Sequence, residues 1–487
     1  MKIRKNILLF LFVQLFVLQI VAQDSLPIAQ GDTLVKSAKP KHRFWLTSAE
    51  ILGSNAGVWL FDLYALNGEY AHINWQTLNN NFLRGFTWDT DHFSTNLLGH
   101  PYQGSLYYTA ARSNGYGYAA AVAFTAFGSL NWEMFMENER PSINDIFATT
   151  AGGITIGETL FRLSDLLVDN RTRGGKRFAR EAAVFVISPV RGLNRLVSGK
   201  AFVAETAAGR DFGSPAVEMT VSTGARMLQL FDDKTASAGF TANLSLEYGE
   251  RFTDEKQKPF DYFTLNAGVN VQKNQPFLSE ITLSARIWAN NLLYNSLEYL
   301  NWGVYKHYYY YDSEKISFRS KKMPYRIGAP AAFGVGFMYQ NERSKNLTIN
   351  SFLYFNALIL GVSLSDHFKF DDRDYNFGDG FNIHAGIDFR HRMLHLSLRN
   401  ESFFIFTLQA YPLDFDFQRY TPADLFAQGD NSNAFINRAT LQMNVALTPH
   451  LVFTAQYAIF SRYTRYKYFD SVFSQAGEAK IMLGVKI

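Results

Sequence analysis

The sequence predicts a membrane all-β barrel of about twelve antiparallel strands, with an N-terminal α-helical domain in or against it. Three observations carry this reading. From about Val217 to Ile487, apolar and polar residues alternate segment after segment. The N-terminus reads as a secretory leader. Aromatic residues make up 16% of the chain, with 26 Tyr and 44 Phe. That exceeds what a soluble core needs, and transmembrane barrels use such residues as girdles at both membrane interfaces.

The alternation is clearest where Ala236, Ala238, Phe240, Ala242, Leu244, Leu246 and Tyr248 interleave with Ser237, Gly239, Thr241, Asn243, Ser245, Glu247 and Gly249. Successive strand side chains point to opposite faces, so the segment has one oily and one wet face. Segments of this kind fall near 217–228, 236–251, 260–272, 280–290, 326–340, 347–361, 381–390, 394–406, 435–447, 451–464 and 478–487. Single-chain bacterial barrels have an even number of strands, so a twelfth is expected near 201–207 or in the Tyr-rich stretch 302–311. In the last segment Ile481, Leu483, Val485 and Ile487 share one face, and Lys480, Met482, Gly484 and Lys486 the other. It reads as a closing strand that carries an assembly signal, although Ile487 stands where an aromatic is usual. Stretches 291–325 and 407–434 read as long extracellular loops, with short connections on the periplasmic side. A soluble β-sandwich also alternates, but rarely over roughly 270 residues.

Lys2, Arg4 and Lys5 precede an apolar run at 7–20 and a cleavage zone at Val21, Ala22 and Gln23, which is signal-peptide order. The run carries Gln14 and Gln19 and is short for a bilayer span. The expected organisation is a signal peptide (1–22), a flexible periplasmic lead-in (23–43), a helical domain (44–200) and a transmembrane barrel (201–487). Leader and barrel together imply the outer membrane of a Gram-negative bacterium. Outer-membrane lipid would surround the barrel, and the barrel-assembly machinery would be its partner during biogenesis. Lys+Arg 47 against Asp+Glu 43, a net charge of +4, is too balanced to argue for nucleic acid. A mean hydropathy of −0.12 fits a polar lumen and disfavours a multi-helix membrane protein. The chain has no Cys, which excludes disulfides, thiol nucleophiles, Cys-ligated metals and a lipoprotein anchor.

Between 44 and 200 apolar residues recur at helical spacing, with helices expected over 47–66, 117–139, 142–168 and 180–197. Ser142 after Pro141 is a start signal, and Pro189 should kink or interrupt the last helix. The densest polar motif of the chain lies here, from Asp89 to Asp165. On a helix, Glu133 and Glu137 stand one turn apart, and Glu158 and Arg162 form a favourable i,i+4 pair. Gly153 and Gly157 would let another backbone approach closely. A His with carboxylates can run acid–base chemistry on an ester or phosphodiester. His100, Glu133, Glu137 and Asp145 are the candidates for that role. Asp91, His92, Asn96, Thr149, Glu158 and Arg162 are expected as a structural polar network. His92, His100 and Glu133 could also ligate a metal. No Gly-x-Ser-x-Gly or His-Glu-x-x-His motif occurs, and neither a metal nor a cofactor is assigned.

This segment resembles an uncharacterised family of Gram-negative envelope proteins, domain of unknown function 3943. The resemblance rests on Asn96, His100–Pro101, Gly104, Tyr107–Tyr108, Ser129, Trp132–Glu133 and the run Pro141–Ser142–Ile143–Asn144–Asp145. It continues through Thr149, Gly153, Gly157–Glu158, Ser188–Pro189, Arg191–Gly192 and Asn194–Arg195, covering roughly Trp88 to Gly199. It implies an outer-membrane protein and carries no activity with it.

Elsewhere, His384, His391 and His395 are expected to line a hydrated lumen. Tyr308–Tyr311 is expected as an interface girdle or an exposed loop. Asp371, Asp372, Asp374 and Asp379 are expected as a solvated loop rather than a calcium site. Arg171, Arg173, Lys176 and Arg177 form a basic cluster that could meet phosphorylated headgroups. The leading expectation for function is a plugged barrel serving envelope structure or small-solute passage. The alternative is an outer-membrane enzyme acting on lipid or another envelope molecule through a His/carboxylate site.

Overall fold

The computed structural model describes residues 42–89, 91–255, 257–317, 320, 322–344, 346–369, 373–416 and 429–487. The expected leader, the expected lead-in up to residue 41, Asp371 and Asp372 lie outside the described residues. The chain forms two compact units: Met1–Asp89 with Ser94–Pro215, and Thr90–Phe93 with Ala216–Ile487.

The first unit is helical, with α1 (Phe44–Phe61), α2 (Trp75–Arg84), α3 (His100–Ser113), α4 (Tyr118–Phe135), α5 (Ile143–Phe147), α6 (Gly153–Leu167), α7 (Gly174–Ile187) and α8 (Pro189–Val197). Wide π-turns interrupt the helical path at Asp62–Leu66, Thr95–Gly99 and Ala148–Gly152. No helix among the described residues is long and apolar enough to cross a membrane. The expected helix over 180–197 is two helices. Ser188 leaves the helical conformation at φ −137°, and Pro189, which has no N–H to give, opens α8. Two helices are absent from the sequence reading. α2 is short and polar, and is fixed by its cap: Asn74 accepts from Gln76 N and Thr77 N at 2.9 and 3.0 Å, while Thr77 Oγ1 accepts from Asn74 N. α3 is rich in Tyr, His, Gln and Arg, which obscures its apolar period.

Glycines let α3 and α6 pack at backbone distance. A Cβ on Gly104 would lie 1.9 Å from the Thr149 carbonyl oxygen, and one on Gly153 would lie 2.6 Å from Gly104 Cα. Gly157 packs in the same way on Tyr108. The small-residue stripe read from the sequence is therefore an interface.

The second unit is a closed barrel: β1 (Val217–Leu230), β2 (Thr235–Tyr248), β3 (Phe263–Val271), β4 (Leu278–Tyr294), β5 (Glu298–Asp312), β6 (Arg326–Ser344), β7 (Leu347–Leu364), β8 (Tyr375–His391), β9 (Leu394–Thr407), β10 (Ser432–Ala446), β11 (Leu451–Tyr466) and β12 (Val472–Lys486). Each strand pairs antiparallel with its sequence neighbours. β1 and β12 close the ring, in register from Thr220↔Lys486 to Leu230↔Ala476.

The twelfth strand is β5, and 201–207 is not a strand. The long loop expected over 291–325 is thereby corrected. β4 runs on to Tyr294, a tight turn follows, and only the stretch after Asp312 connects onward. Lys306, His307 and four consecutive Tyr hide this strand from an alternation count. The four tyrosines form neither girdle nor exposed loop, since each is at most 1% exposed.

The barrel is dressed for lipid. On β12 Phe473, Ile481, Leu483 and Val485 face out and are exposed, while Ser474, Glu478, Lys480 and Met482 are buried. On β10 Phe435 and Leu441 are exposed and Arg438 and Thr440 are buried. Oily side chains outside and charged ones inside invert the arrangement of a water-soluble domain.

Candidate functional site

The polar centre of the helical unit is assembled by a short parallel bridge between Thr87 and Ser142. Thr87 N donates to Pro141 O at 2.9 Å, and Ile143 N donates to Thr87 O at 2.8 Å. This bridge sets Asp89 beside the N-terminus of α5, where Ser142 Oγ accepts from Asp145 N at 3.3 Å as an N-cap. His100, at the start of α3, completes the group, with Nε2 3.3 Å from Asp145 Oδ1. One donor atom each from Asp89, His100 and Asp145 lies within 4.8 Å of the others. His100 and Asp145 are buried, and Asp89 is half-buried.

Neutral amides hold the carboxylates. Asn96 and Asn144 each donate from Nδ2 to Asp89 Oδ1 at 2.9 Å, and Asn144 also donates to Asp145 Oδ1 at 2.9 Å. Ser142 Oγ donates to Asp89 Oδ2 at 3.3 Å, and Ser142 N donates to Glu133 Oε2 at 2.7 Å. Burial pushes the Asp62 carboxyl up to about 6, against a hydrogen bond with Tyr70 and the field of His100.

The predicted site residues divide. His100 and Asp145 meet, and Glu133 joins them through Ser142. Glu137 does not. α4 ends at Phe135, so Glu133 and Glu137 are not on one helical face, and Glu137 Oε1 instead accepts from Trp132 Nε1 at 2.6 Å. Asp91 and His92 belong to the barrel unit, where Tyr375 Oη donates to Asp91 O at 2.5 Å and His92 is exposed. Among the described residues, His92, His100 and Glu133 do not gather as a metal-ligand group. Asn96 lies within the network. Thr149 instead supplies the carbonyl that faces Gly104. Asp89 and Asn144, which are not among the expected site residues, complete the group. The bridge that brings them in spans some 55 positions and leaves no periodic trace.

Glu158 and Arg162 form a second, structural cluster. Glu158 accepts from Tyr108 Oη at 2.9 Å, Arg112 Nε at 2.8 Å and Arg162 Nε at 2.9 Å. Burial and the nearby Glu158 charge raise the Tyr108 phenol well above its ordinary value. Arg191 bridges Asp165 at 2.6 Å and Asp211 at 2.9 Å, and Arg195 grips Glu181 at 2.8 Å. In the basic cluster, Arg171 pairs with Asp169 at 2.8 Å, and Arg177 is buried against Glu181 at 2.9 Å.

In the barrel unit the lumen is layered. At the end bearing the short β8–β9 and β10–β11 turns is a polar vestibule of about 350 Å³, lined by residues that include Arg390, His395, Arg399, Asn444 and Lys486. Its size is within the range of small-molecule sites. Above it a buried charged layer crosses the lumen. Arg438 Nη2 reaches Glu280 Oε1 at 3.1 Å and Arg438 Nη1 reaches Glu401 Oε2 at 3.2 Å. Lys480 Nζ lies 3.5 Å from Glu280 and 3.3 Å from Glu478, and Arg226 Nε lies 2.6 Å from Glu478. Against that layer packs an apolar cluster that includes Leu228, Tyr309, Tyr325, Phe403, Ile436 and Phe460, and past Phe460 on the same strand face Arg462 pairs with Asp366 at 2.6 Å. Tyr325 stacks on Phe460 at 3.9 Å. His384 and His395 belong to the lumen lining, with His395 Nε2 3.3 Å from Asp388 Oδ1.

Residues 85–190 match the family described as Domain of unknown function (DUF3943). The matched segment contains Asp89, His100 and Asp145 and the whole Glu158 cluster, and it ends at the start of α8. No curated protein matches the chain. Similar solved structures include the NanC porin, at 7% identity over 56% of this chain and 100% of that one, with a TM-score of 0.27. The outer membrane channel DcaP of Acinetobacter baumannii stands at 8% identity, 56% and 96% coverage, and a TM-score of 0.23. The Pseudomonas putida toluene transporter TodX stands at 8% identity, 56% and 90% coverage, and a TM-score of 0.22. Likenesses this low assign nothing to the chain.

Proposed function

We propose that this protein is an outer-membrane barrel of the Gram-negative envelope that is closed to free solute flow and holds a small polar solute in its one-ended vestibule. The outward oily face of the strands supports the bilayer setting. The contact of Arg438 with Glu280 carries the closure. Their strands stand on opposite sides of the ring, so a side-chain pair spans the lumen where a pore would need water. The apolar packing above that pair seals it a second time. Reconstituted in planar bilayers, the unmodified protein is expected to give no steady conductance; stable unitary steps would overturn the reading.

The vestibule favours a second reading, gated passage. On that reading Arg438→Ala combined with Tyr325→Ala admits small sugars in liposome swelling, while the unmodified barrel excludes them. An enzyme acting on envelope lipid through His100 and Asp145 is the weaker alternative, because both side chains are buried. Unaltered lipid composition in cells carrying His100→Ala, with the barrel still heat-modifiable, would remove it.

A further inference from the structure

Asp89, His100 and Asp145 come from three chain segments. One precedes α3, one opens it and one lies in α5, yet a donor atom of each falls within 4.8 Å of the others. The donor types are one imidazole nitrogen and two carboxylate oxygens. This mixed set suits divalent ions of intermediate hardness rather than soft ones. Two ligands about 2.1 Å from one tetrahedral ion stand about 3.4 Å apart, and His100 Nε2 and Asp145 Oδ1 already stand at 3.3 Å.

The surroundings match a ligand shell. Asn96, Asn144 and Ser142 fix the carboxylate oxygens through neutral N–H and O–H donors. These orient the carboxylates without neutralising them, as partners of metal ligands do. Both ligand-bearing helices are also distorted beside the site. A π-turn at Thr95–Gly99 runs into His100, and another at Ala148–Gly152 follows α5. Such turns concentrate at functional positions because they re-aim side chains that a regular helix would send elsewhere.

We propose that Asp89, His100 and Asp145 bind one divalent cation, Zn²⁺ or Mn²⁺, in the helical unit. The full-length protein is purified in detergent, stripped with EDTA, dialysed and titrated separately with Zn²⁺ and Mn²⁺. Bound metal is measured by elemental analysis, and protection of the helical unit by limited proteolysis. One ion per chain is expected, with slower proteolysis when it is bound. His100→Ala and Asp89→Asn should each weaken binding by more than about 10- to 100-fold, the range for losing only an outer partner of a metal ligand. His450→Ala, exposed on the β10–β11 turn, should bind as the unmodified protein does. Heat-modifiability of the barrel reports folding of every variant. Absence of stoichiometric binding by the unmodified protein would overturn the proposal and leave His100 and Asp145 as an ion pair. So would full binding by His100→Ala. Neither result bears on whether the barrel conducts.

Discussion

Arg438 on β10 and Glu280 on β4 meet at 3.1 Å although their strands are six apart in either direction round a ring of twelve. Lys480 and Glu401 join the same buried layer. Removing one partner of a buried pair strands the other charge in a low-dielectric setting. Glu280→Ala is therefore expected to destabilise the barrel by about 3–5 kcal/mol. Arg438→Leu should cost a similar amount, and the double variant less than the sum of the two. Urea midpoints read by heat-modifiability give the cycle; strictly additive losses would mean that the two side chains do not interact.

Gly104 has no room for a methyl group, since its Cβ would meet the Thr149 carbonyl oxygen at 1.9 Å. Gly104→Ala should force α3 and α6 apart at about 1–3 kcal/mol or more, seen as faster proteolysis of the helical unit. Gly175 has nothing within 4 Å of its would-be Cβ, so Gly175→Ala should leave the rate unchanged. Equal rates for the two variants would contradict the close packing.

Glu158 is a shared acceptor for two guanidinium groups and a phenol. Glu158→Ala is predicted to cost about 3–5 kcal/mol by leaving Arg112 and Arg162 without their common carboxylate. Tyr108→Phe removes one hydrogen bond to a charged group and should cost about 1.5–3 kcal/mol. Chemical denaturation of the helical unit ranks them. A larger loss for Tyr108→Phe would refute the assignment of Glu158 as the hub.

Asp62 titrates near 6 when folded, mainly because burial disfavours its charge, against an ordinary value of 3.8. A raised carboxyl contributes stability that is whole below pH 3.8 and is lost as pH rises through about 6. In EDTA, the helical unit should therefore resist proteolysis less at pH 7.5 than Asp62→Asn does, with the gap closing toward pH 4. A gap that stays constant across that range would show that Asp62 does not titrate there.

Much of the barrel is legible in the sequence because a strand writes its two faces into alternate positions. Ile481, Leu483 and Val485 were read as one face, and they share the outward one. The same rule fails at β5. His307, Tyr309 and Tyr311 face a lumen that is itself packed, while Lys306, Tyr308 and Tyr310 between them are buried as well, so no oily-against-wet contrast remains to count. In the helical unit, Glu158 with Arg162 and the Gly153 stripe were readable because their spacing is local. Glu137 was misjudged because nothing in the sequence marks the end of α4 at Phe135.

By itself the sequence determined a barrel of about twelve strands, helices ahead of it, and a polar motif that includes His100 and Asp145. Local periodicity and short-range spacing suffice for each of these. Tertiary structure alone decided which distant residues meet. Asp89 reaches Asp145 through the bridge of Thr87 with Ser142, and Glu280 reaches Arg438 across a closed ring. Both contacts join side chains more than fifty positions apart. Such distances are set by chain closure and packing, which no repeating pattern records.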